Sequence, residues 1–195
     1  MNKIVLASSS PRRKQLLEWA EIDFDVIISA IEETFPEGLT PTQTAMFIAK
    51  QKALAVKSGG EYKRYEQEVP VLGADTIVVC EGEILGKPGD REEAIEMLHL
   101  LSGKKHQVIT GVAIINGNRE KTFAGATEVG FYKLSREQIE FYVDRYKPYD
   151  KAGAYAIQEW IGIVGIEYIN GDFYNVMGLP VSRVVRELEE MGFKI

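Results

Sequence analysis

Short apolar runs typical of β-strands alternate along this chain with segments whose apolar residues repeat at helical spacing. Ile4 to Ala7, Phe24 to Ile28 and Val71 to Cys80 are strand-like, whereas Pro11 to about Ala20 and Pro41 to Ser58 are helix-like. Such alternation is typical of proteins in which helices pack against a sheet. The pattern therefore predicts an α/β fold.

The second half of the chain continues the same alternation. Asn116-Gly117 is a hairpin signal between two strand-like runs, Val108 to Ile115 and Lys121 to Tyr132. Start and stop signals predict three further helices. The first begins at Asp90, with Glu93 completing a capping box, and ends at Gly103; the second begins at Ser135, with Gln138 in its box, and ends near Tyr146. The third runs from about Pro180 to Met191, with Gly192 as its stop. The polar stretch Gly59 to Pro70 predicts a solvated loop.

Length and charge narrow the functional classes. The chain has 195 residues, a formal net charge of −6 and one cysteine, Cys80, which excludes an intrachain disulfide and a Cys-rich zinc site. No apolar run has the length of a membrane span, and the one at the start is too short for a secretory signal. We therefore expect a cytoplasmic protein without membrane contact. The acidic balance argues against nucleic-acid binding but allows a small anionic ligand in a local basic pocket.

Two arginines at a predicted helix start oppose the usual distribution of charge. Ser10 is a suitable N-cap and Pro11 a suitable first helical residue, which places Arg12 and Arg13 in the first turn. Cations there are unfavourable beside the positive end of the helix dipole, unless an anion binds at that end. The residues alone support a phosphate site and a solvated surface pair about equally.

An aspartate interrupts the most apolar predicted strand. Asp75 lies within Val71 to Val79, where a carboxylate is costly unless it is paired, hydrogen-bonded or bound to metal. Gly73 and Ala74 beside it leave room for a ligand to approach the backbone. We favour a functional role over a structural aspartate bonded to neighbouring amides.

Lysines supply further candidate site residues, each with a plain structural alternative. Lys50 and Lys52 both lie on the long predicted helix, and periodicity does not distinguish the one that enters a site from the one that only covers apolar surface. Lys87 lies in a Gly-Lys-Pro turn, and Lys151 opens a segment poor in bulky side chains that ends at Gln158. The glycines of Gly171 to Pro180 indicate a tight loop before the last helix.

A series of short motifs follows in order along the chain: Ser8 to Leu17, Glu33-Thr34, Lys52-Ala53, Gly73 to Thr76, Gly86-Lys87-Pro88, Ser102 to Gly111, Lys151 to Gln158 and Gly178-Leu179-Pro180. Taken together and in this order, they resemble the Maf family of nucleoside triphosphate pyrophosphatases. Each motif is weak alone, but their joint order is specific. The resemblance implies one domain over residues 1–195. Its α/β fold would have a mixed sheet, flanking helices and two lobes around a deep cleft, like inosine triphosphate pyrophosphatases.

The resemblance also implies a reaction and a set of site residues. It implies hydrolysis between the α and β phosphates of a nucleoside triphosphate, with Asp75 as proton acceptor and with Glu33 and Asp75 as ligands of a divalent Mg²⁺ or Mn²⁺ ion. The substrate-binding residues that it implies are Ser8, Ser10, Arg12, Arg13, Lys52, Thr76, Lys87, Lys151 and Gln158. A homodimer with a house-cleaning role is the family expectation.

Three positions indicate the branch of the family. Arg12, Thr76 and Gln158 match the dTTP and UTP pyrophosphatases, whereas a 7-methyl-GTP branch tends to carry Trp, Gln and Glu there. Ala156 and the pair Glu159-Trp160 depart from the smaller residues common in the family. Modified pyrimidine nucleotides are included among the expected substrates. The alternatives are a 7-methyl-GTP-type enzyme, a non-hydrolysing nucleotide sensor of cell division, and a metal-independent structural partner.

Overall fold

The computed structural model describes residues 3–28, 31, 34–65 and 69–194. Within them lie seven strands: β1 (Ile4–Leu6), β2 (Phe24–Val26), β3 (Val71–Cys80), β4 (Glu83–Leu85), β5 (Lys105–Asn116), β6 (Arg119–Phe131) and β7 (Ile166–Asn170). The α-helices of this part of the chain are α1 (Pro11–Trp19), α2 (Pro41–Ser58), α3 (Arg91–Leu101), α4 (Arg136–Tyr146), α5 (Trp160–Gly165), α6 (Phe173–Met177) and α7 (Val181–Glu190). Short 3-10 helices occupy Glu61–Arg64 and Ala152–Ala154.

The strands form one mixed sheet in the order β2-β1-β3-β5-β6-β7, and β4 pairs with β3 off this path. β1 runs parallel to β2 and to β3, with Leu6 opposite Leu72, whereas β4 is antiparallel to β3 and β7 is antiparallel to β6. The predicted α/β class is therefore confirmed, and the sheet is mixed as the resemblance implies. The deep cleft stays a prediction.

Local capping signals explain where the longer helices begin. Ser10 accepts a hydrogen bond from the Arg13 amide and precedes Pro11 at the first helical position. Thr40 with Gln43, and Ser135 with Gln138, form complete capping boxes. At α3 the predicted box forms only in part, because the Glu93 carboxylate accepts from the Gly89 amide at 2.7 Å while Asp90 caps the Glu93 amide.

The described chain divides into two compact units. Unit 1 comprises Met1–Asp75, Thr110–Gly125 and Gly178–Ile195, and unit 2 comprises Thr76–Ile109 and Ala126–Met177.

In unit 1, a stripe of small residues lets α2 lie close to the sheet. Ala45, Ala49 and Ala53 recur at every fourth position and are fully buried. A Cβ at Gly73 would lie 2.2 Å from the Ala49 carbonyl oxygen, and one at Gly111 would lie 2.2 Å from the Ala45 carbonyl carbon. These glycines are needed because the helix backbone occupies the space that any side chain would take.

The structure differs from the sequence-based expectation in two segments. The segment Gly59 to Pro70 is more than a solvated loop, because Tyr62, Tyr65 and Val69 pack against buried residues of unit 1. The region after Gln158 contains α5, β7 and α6, none of which the sequence pattern indicated. α6 lies within the stretch predicted as a tight loop before the last helix. No helix among the described residues is both long and apolar enough to cross a membrane.

Candidate active site

The serine loop between β1 and α1 begins beside β3. Ser8 lies two residues after the end of β1, and because Leu6 lies opposite Leu72 in parallel register, the loop leaves the sheet near Asp75. The Ser8 hydroxyl oxygen accepts from the Ser10 amide at 3.2 Å and from Arg13 Nη1 at 3.1 Å. The loop is therefore tied to the helix start that it introduces.

The two arginines of α1 have different environments. Arg13 is buried, with 8% of its surface exposed, and its Nε donates to the Gly178 carbonyl oxygen at 2.8 Å. The interpretation of Arg12-Arg13 as a solvated surface pair is therefore wrong for Arg13. Arg12 is half-buried in the same helical turn. Arg13 thus connects the serine loop to the Gly-Leu-Pro segment before α7, and it brings a guanidinium into the interior of unit 1.

The predicted site residues Lys52 and Asp75 meet in a partly buried ion pair. Lys52 Nζ donates to Asp75 Oδ1 at 2.7 Å, and the side chains are 14% and 11% exposed. The ammonium offsets the cost of burying the carboxylate charge. Lys50 instead pairs with Glu120 at 2.7 Å, where both side chains are more than a third exposed. The lysine that contacts the predicted catalytic aspartate is therefore Lys52 and not Lys50, a distinction that periodicity could not make.

Gly73 makes room for helix α2 and not for a ligand. We expected it to leave room for a ligand beside Asp75, but the Ala49 carbonyl of α2 occupies that side of the strand. Gly73 and Asp75 are two residues apart and so point to the same face of β3. The close approach of α2 at Gly73 is therefore what brings Lys52, one turn beyond Ala49, within reach of Asp75.

The predicted metal site is only partly within the described residues. Glu33 lies outside them, and inside them no three His, Cys, Asp or Glu side chains form a group suited to a metal ion. Mg²⁺ usually binds proteins through one or two carboxylates together with waters and substrate phosphates. A single buried carboxylate, Asp75, fits an ion held jointly with a phosphate ligand and does not fit a preformed protein cage.

In unit 2, the Gly-Lys-Pro turn is joined to the segment Lys151 to Gln158. The Gly153 amide donates to the Gly86 carbonyl oxygen at 2.9 Å, so the exposed Lys87 lies in a turn fixed to that segment. Lys151 itself is buried, and its Nζ lies 2.7 Å from Asp150 Oδ1 and 3.6 Å from Glu159 Oε1. The ammonium of this predicted substrate-binding residue is therefore held by two carboxylates of unit 2.

Two buried tyrosines anchor the same segment. The Tyr155 hydroxyl shares a 2.7 Å hydrogen bond with His106 Nε2, and both rings pack edge-to-face with Phe131. Burial lowers the pKa of His106 to about 4 and raises the pKa of Tyr155, so both groups are neutral at pH 7. The fully buried Tyr142 of α4 accepts from the Ala156 amide at 3.1 Å and donates to Glu159 Oε2.

The base-recognition candidates of unit 2 are accessible. Gln158 is exposed at the end of the anchored segment, and Thr76 is half-buried in β3. Ala156 is buried, and its backbone amide donates a hydrogen bond to the Tyr142 hydroxyl.

Sequence reasoning missed Gly178, Tyr142 and Asp150 as supporting residues. Gly178 contributes a backbone oxygen 165 positions from Arg13, and Tyr142 contacts Glu159 across 17 positions. No local pattern reveals such contacts. For Tyr142 the sequence offers one indirect signal, the acidic Glu159, which stands where smaller residues are common in the family.

The fold and these buried charged residues define an α/β protein with an enzyme-like site. The Maf family model, described as Maf-like protein, matches residues 3–191. The chain belongs to the Maf family.

The chain is also similar, over nearly its whole length, to proteins that carry a functional name. The chain is 50% identical over 188 residues to the dTTP/UTP pyrophosphatase of Cytophaga hutchinsonii, covering 96% of this chain and 84% of that protein. It is 49% identical over 195 residues to the dTTP/UTP pyrophosphatase of Bacillus cereus, covering 100% of this chain and 98% of that protein. A solved structure, the Staphylococcus aureus Ham1 protein, matches with a TM-score of 0.44 and 18% identity over 67% of this chain and 72% of that one.

Proposed function

We propose that this chain is a nucleoside triphosphate pyrophosphatase that hydrolyses dTTP and UTP to the monophosphate and pyrophosphate. The observation that carries the proposal is the partly buried Lys52–Asp75 pair at 2.7 Å, together with the buried Arg13, in a chain of the Maf family. Two cations and one carboxylate inside a compact unit suit the binding of an anionic substrate and the activation of water. The biological role would be house-cleaning of unwanted nucleotides, modified pyrimidine nucleotides included.

In this proposal Asp75 is the catalytic residue. Asp75 orients a water molecule and accepts its proton while the water oxygen forms a bond to the α phosphorus. The bond from that phosphorus to the oxygen shared with the β phosphate breaks, and pyrophosphate leaves. Catalysis then depends on positioning and on charge stabilisation, as in other phosphoryl transfers. Ser8, Ser10, Arg13 and Lys52 would bind the phosphates.

A divalent cation belongs to the proposal as a cofactor. Asp75, with Glu33 from outside the described residues, would hold Mg²⁺ or Mn²⁺, for which oxygen donors are suitable ligands. When bound, the ion supplies positive charge that stabilises the phosphate oxygens.

Base preference rests on Arg12, Thr76 and Gln158. An amide side chain such as that of Gln158 presents both a donor and an acceptor, which matches the edge shared by thymine and uracil.

Lys87 and Lys151 are proposed to bind the substrate as well, and the ammonium of Lys151 is already held by Asp150 and Glu159. A cytoplasmic homodimer completes the proposal.

A nucleotide panel tests the proposed function. Purified protein with Mg²⁺ is incubated with dTTP, UTP, CTP, the purine triphosphates and 7-methyl-GTP, and the products are identified. Monophosphate and pyrophosphate from dTTP and UTP are expected. Asp75→Asn should lower kcat by about 10³-fold because the proton acceptor is lost. Asp25→Asn, which removes a partly exposed carboxylate paired with Lys3 in the same unit, is the matched control and should retain activity.

Each other outcome of the panel contradicts a defined part of the proposal. Wild-type activity in a folded Asp75→Asn protein would remove Asp75 from the catalytic role. Preferential hydrolysis of 7-methyl-GTP would overturn the roles of Arg12, Thr76 and Gln158. Nucleotide binding without hydrolysis, measured as a thermal shift, would identify a sensor in place of an enzyme.

A further inference from the structure

The Tyr142 hydroxyl contacts the chain on both sides of Gln158. It accepts a hydrogen bond from the Ala156 amide at 3.1 Å, and it donates one to the carboxylate of Glu159. Tyr142 is fully buried on α4, and its ring stacks on that of Tyr146 at 5.0 Å. A side chain so enclosed gives its hydroxyl a fixed position from which to hold the backbone before Gln158 and the side chain after it.

Glu159 extends this contact to the start of the same segment. The second carboxylate oxygen of Glu159 lies 3.6 Å from Lys151 Nζ. The backbone amide of Glu159 donates to the Ala156 carbonyl oxygen at 3.1 Å, and the Glu159 carbonyl oxygen accepts from the Gly162 amide at 2.9 Å. Glu159 therefore links α4, Lys151 and the first turn of α5. Gln158, exposed between two fixed neighbours, has its backbone direction set by this network.

We propose that Tyr142, acting through Glu159 and the Ala156 amide, is a positioning residue that orients Gln158 for recognition of the nucleobase. This inference rests on the proposed function, because Gln158 has a base to recognise only if the substrate is a nucleotide. An amide discriminates one base edge from another only when its donor and acceptor are held in place, since a mobile amide can rotate to match either edge. Loss of the hydroxyl should therefore reduce selectivity more than turnover.

Tyr142→Phe removes both hydrogen bonds and keeps the buried ring. We expect the ratio of kcat/KM for UTP over CTP to fall by about tenfold, the effect of one lost hydrogen bond, mainly through a higher KM for UTP. Tyr146→Phe, which removes a hydroxyl from the neighbouring stacked ring, is the matched control and should leave the ratio unchanged. Glu159→Gln keeps a side-chain acceptor for Tyr142, so its UTP to CTP ratio should fall less than that of Glu159→Ala.

A double-mutant cycle with Gln158→Ala distinguishes positioning from a general structural role. If Tyr142 acts through Gln158, Tyr142→Phe should produce no further change in the UTP to CTP ratio in the Gln158→Ala background. An additional tenfold effect there, or an unchanged ratio in a folded Tyr142→Phe protein, would overturn the proposal. If Tyr142→Phe fails to fold, the comparison of Glu159→Ala with Glu159→Gln tests the proposal instead. Equal UTP to CTP ratios in those two variants would overturn the positioning role.

The wild-type protein separates this inference from the proposed function. Preferential hydrolysis of UTP by the wild type together with an unaltered ratio in Tyr142→Phe would contradict the positioning role alone. Absence of UTP and dTTP hydrolysis by the wild type would contradict the proposed function, and the positioning role with it.

Discussion

The two compact units hold their proposed functional residues in different ways. In unit 1, Lys52 and Asp75 lie within the helix α2 and the strand β3, and they pair directly with each other. In unit 2, Lys151 and Gln158 lie in an irregular segment whose position depends on buried tyrosine hydroxyls. Lys52 and Asp75 have little conformational freedom, because they pair with each other and lie on a helix and a strand. The positions of Lys151 and Gln158 depend instead on the hydrogen bonds that hold their irregular segment.

This difference matches the two tasks proposed for the residues. Activation of water tolerates little displacement, so a catalytic carboxylate benefits from a strand and a packed helix. A segment that lies outside the regular elements can change its contacts to a base without disturbing the sheet. The departures at Ala156 and Glu159 fall in or beside that segment, and both contact Tyr142.

Gly73→Ala is the strongest test of the rigid arrangement in unit 1. The added Cβ would lie 2.2 Å from the Ala49 carbonyl oxygen, so α2 must move away from β3. We expect a loss of about 3 kcal/mol in the free energy of unfolding, measured by urea denaturation, because backbone cannot yield as a side chain does. Any folded fraction should also lose turnover, because Lys52 moves with the helix.

Gly60→Ala is the control for that substitution. A Cβ at Gly60 meets nothing within 4 Å, so its unfolding free energy should change by about 0.5 kcal/mol or less. Equal stability of the Gly73→Ala and Gly60→Ala proteins would show that α2 is not held as closely as the structure indicates.

The buried histidine gives a test of unit 2 by pH. Burial lowers the pKa of His106 from its ordinary 6.5 to about 4, so the folded state binds this proton less readily than the unfolded state. The stability that results is present above pH 6.5 and is lost as the pH falls toward 4. Between pH 7.5 and 5, His106 should therefore lower the free energy of unfolding by about 2 kcal/mol.

His106→Gln removes the titrating group and isolates this contribution. The pH dependence of its unfolding free energy, from urea denaturation, should be flatter than that of the wild type over the same range. His99→Gln, at an exposed position, should follow the wild type. Parallel curves for wild type and His106→Gln would mean that His106 gains a proton in the folded state as easily as in the unfolded chain.

Features encoded in neighbouring residues could be predicted from the sequence. Ser10 before Pro11, and Ser135 with Gln138, cap their helices as expected, because the donor and the acceptor are only three residues apart. The burial of Asp75 followed from its apolar neighbours. These signals act over one helical turn or one strand, and the sequence contains them in full.

Features that depend on distant contacts could not be predicted. The sequence shows glycine at Gly73 but not that α2 fills the space beside it, so room for a ligand was a reasonable but wrong interpretation. α5 and β7 have six and five residues, too few for a periodic pattern to stand out. The contact between Tyr142 and Glu159 joins two elements whose approach is set by the packing of unit 2.

The smallest expected effect is that of substituting Lys50, one of the two lysines of α2 that the sequence alone could not distinguish. Lys50 pairs with Glu120 at the surface, where both side chains are more than a third exposed, so solvent screens the interaction. Lys50→Met should change the free energy of unfolding by less than about 1 kcal/mol and leave kcat/KM for UTP within about twofold of the wild type.

Lys52→Met makes the same chemical change two positions further along the same helix. It leaves Asp75 buried without its ammonium partner, so we expect a loss of about 3 kcal/mol in unfolding free energy together with a large loss of turnover. The contrast between the two variants is informative because side-chain volume, helix propensity and charge change equally in both. If Lys50→Met and Lys52→Met proved equivalent in urea denaturation and in UTP hydrolysis, direct pairing on regular elements would not be what distinguishes unit 1 from unit 2.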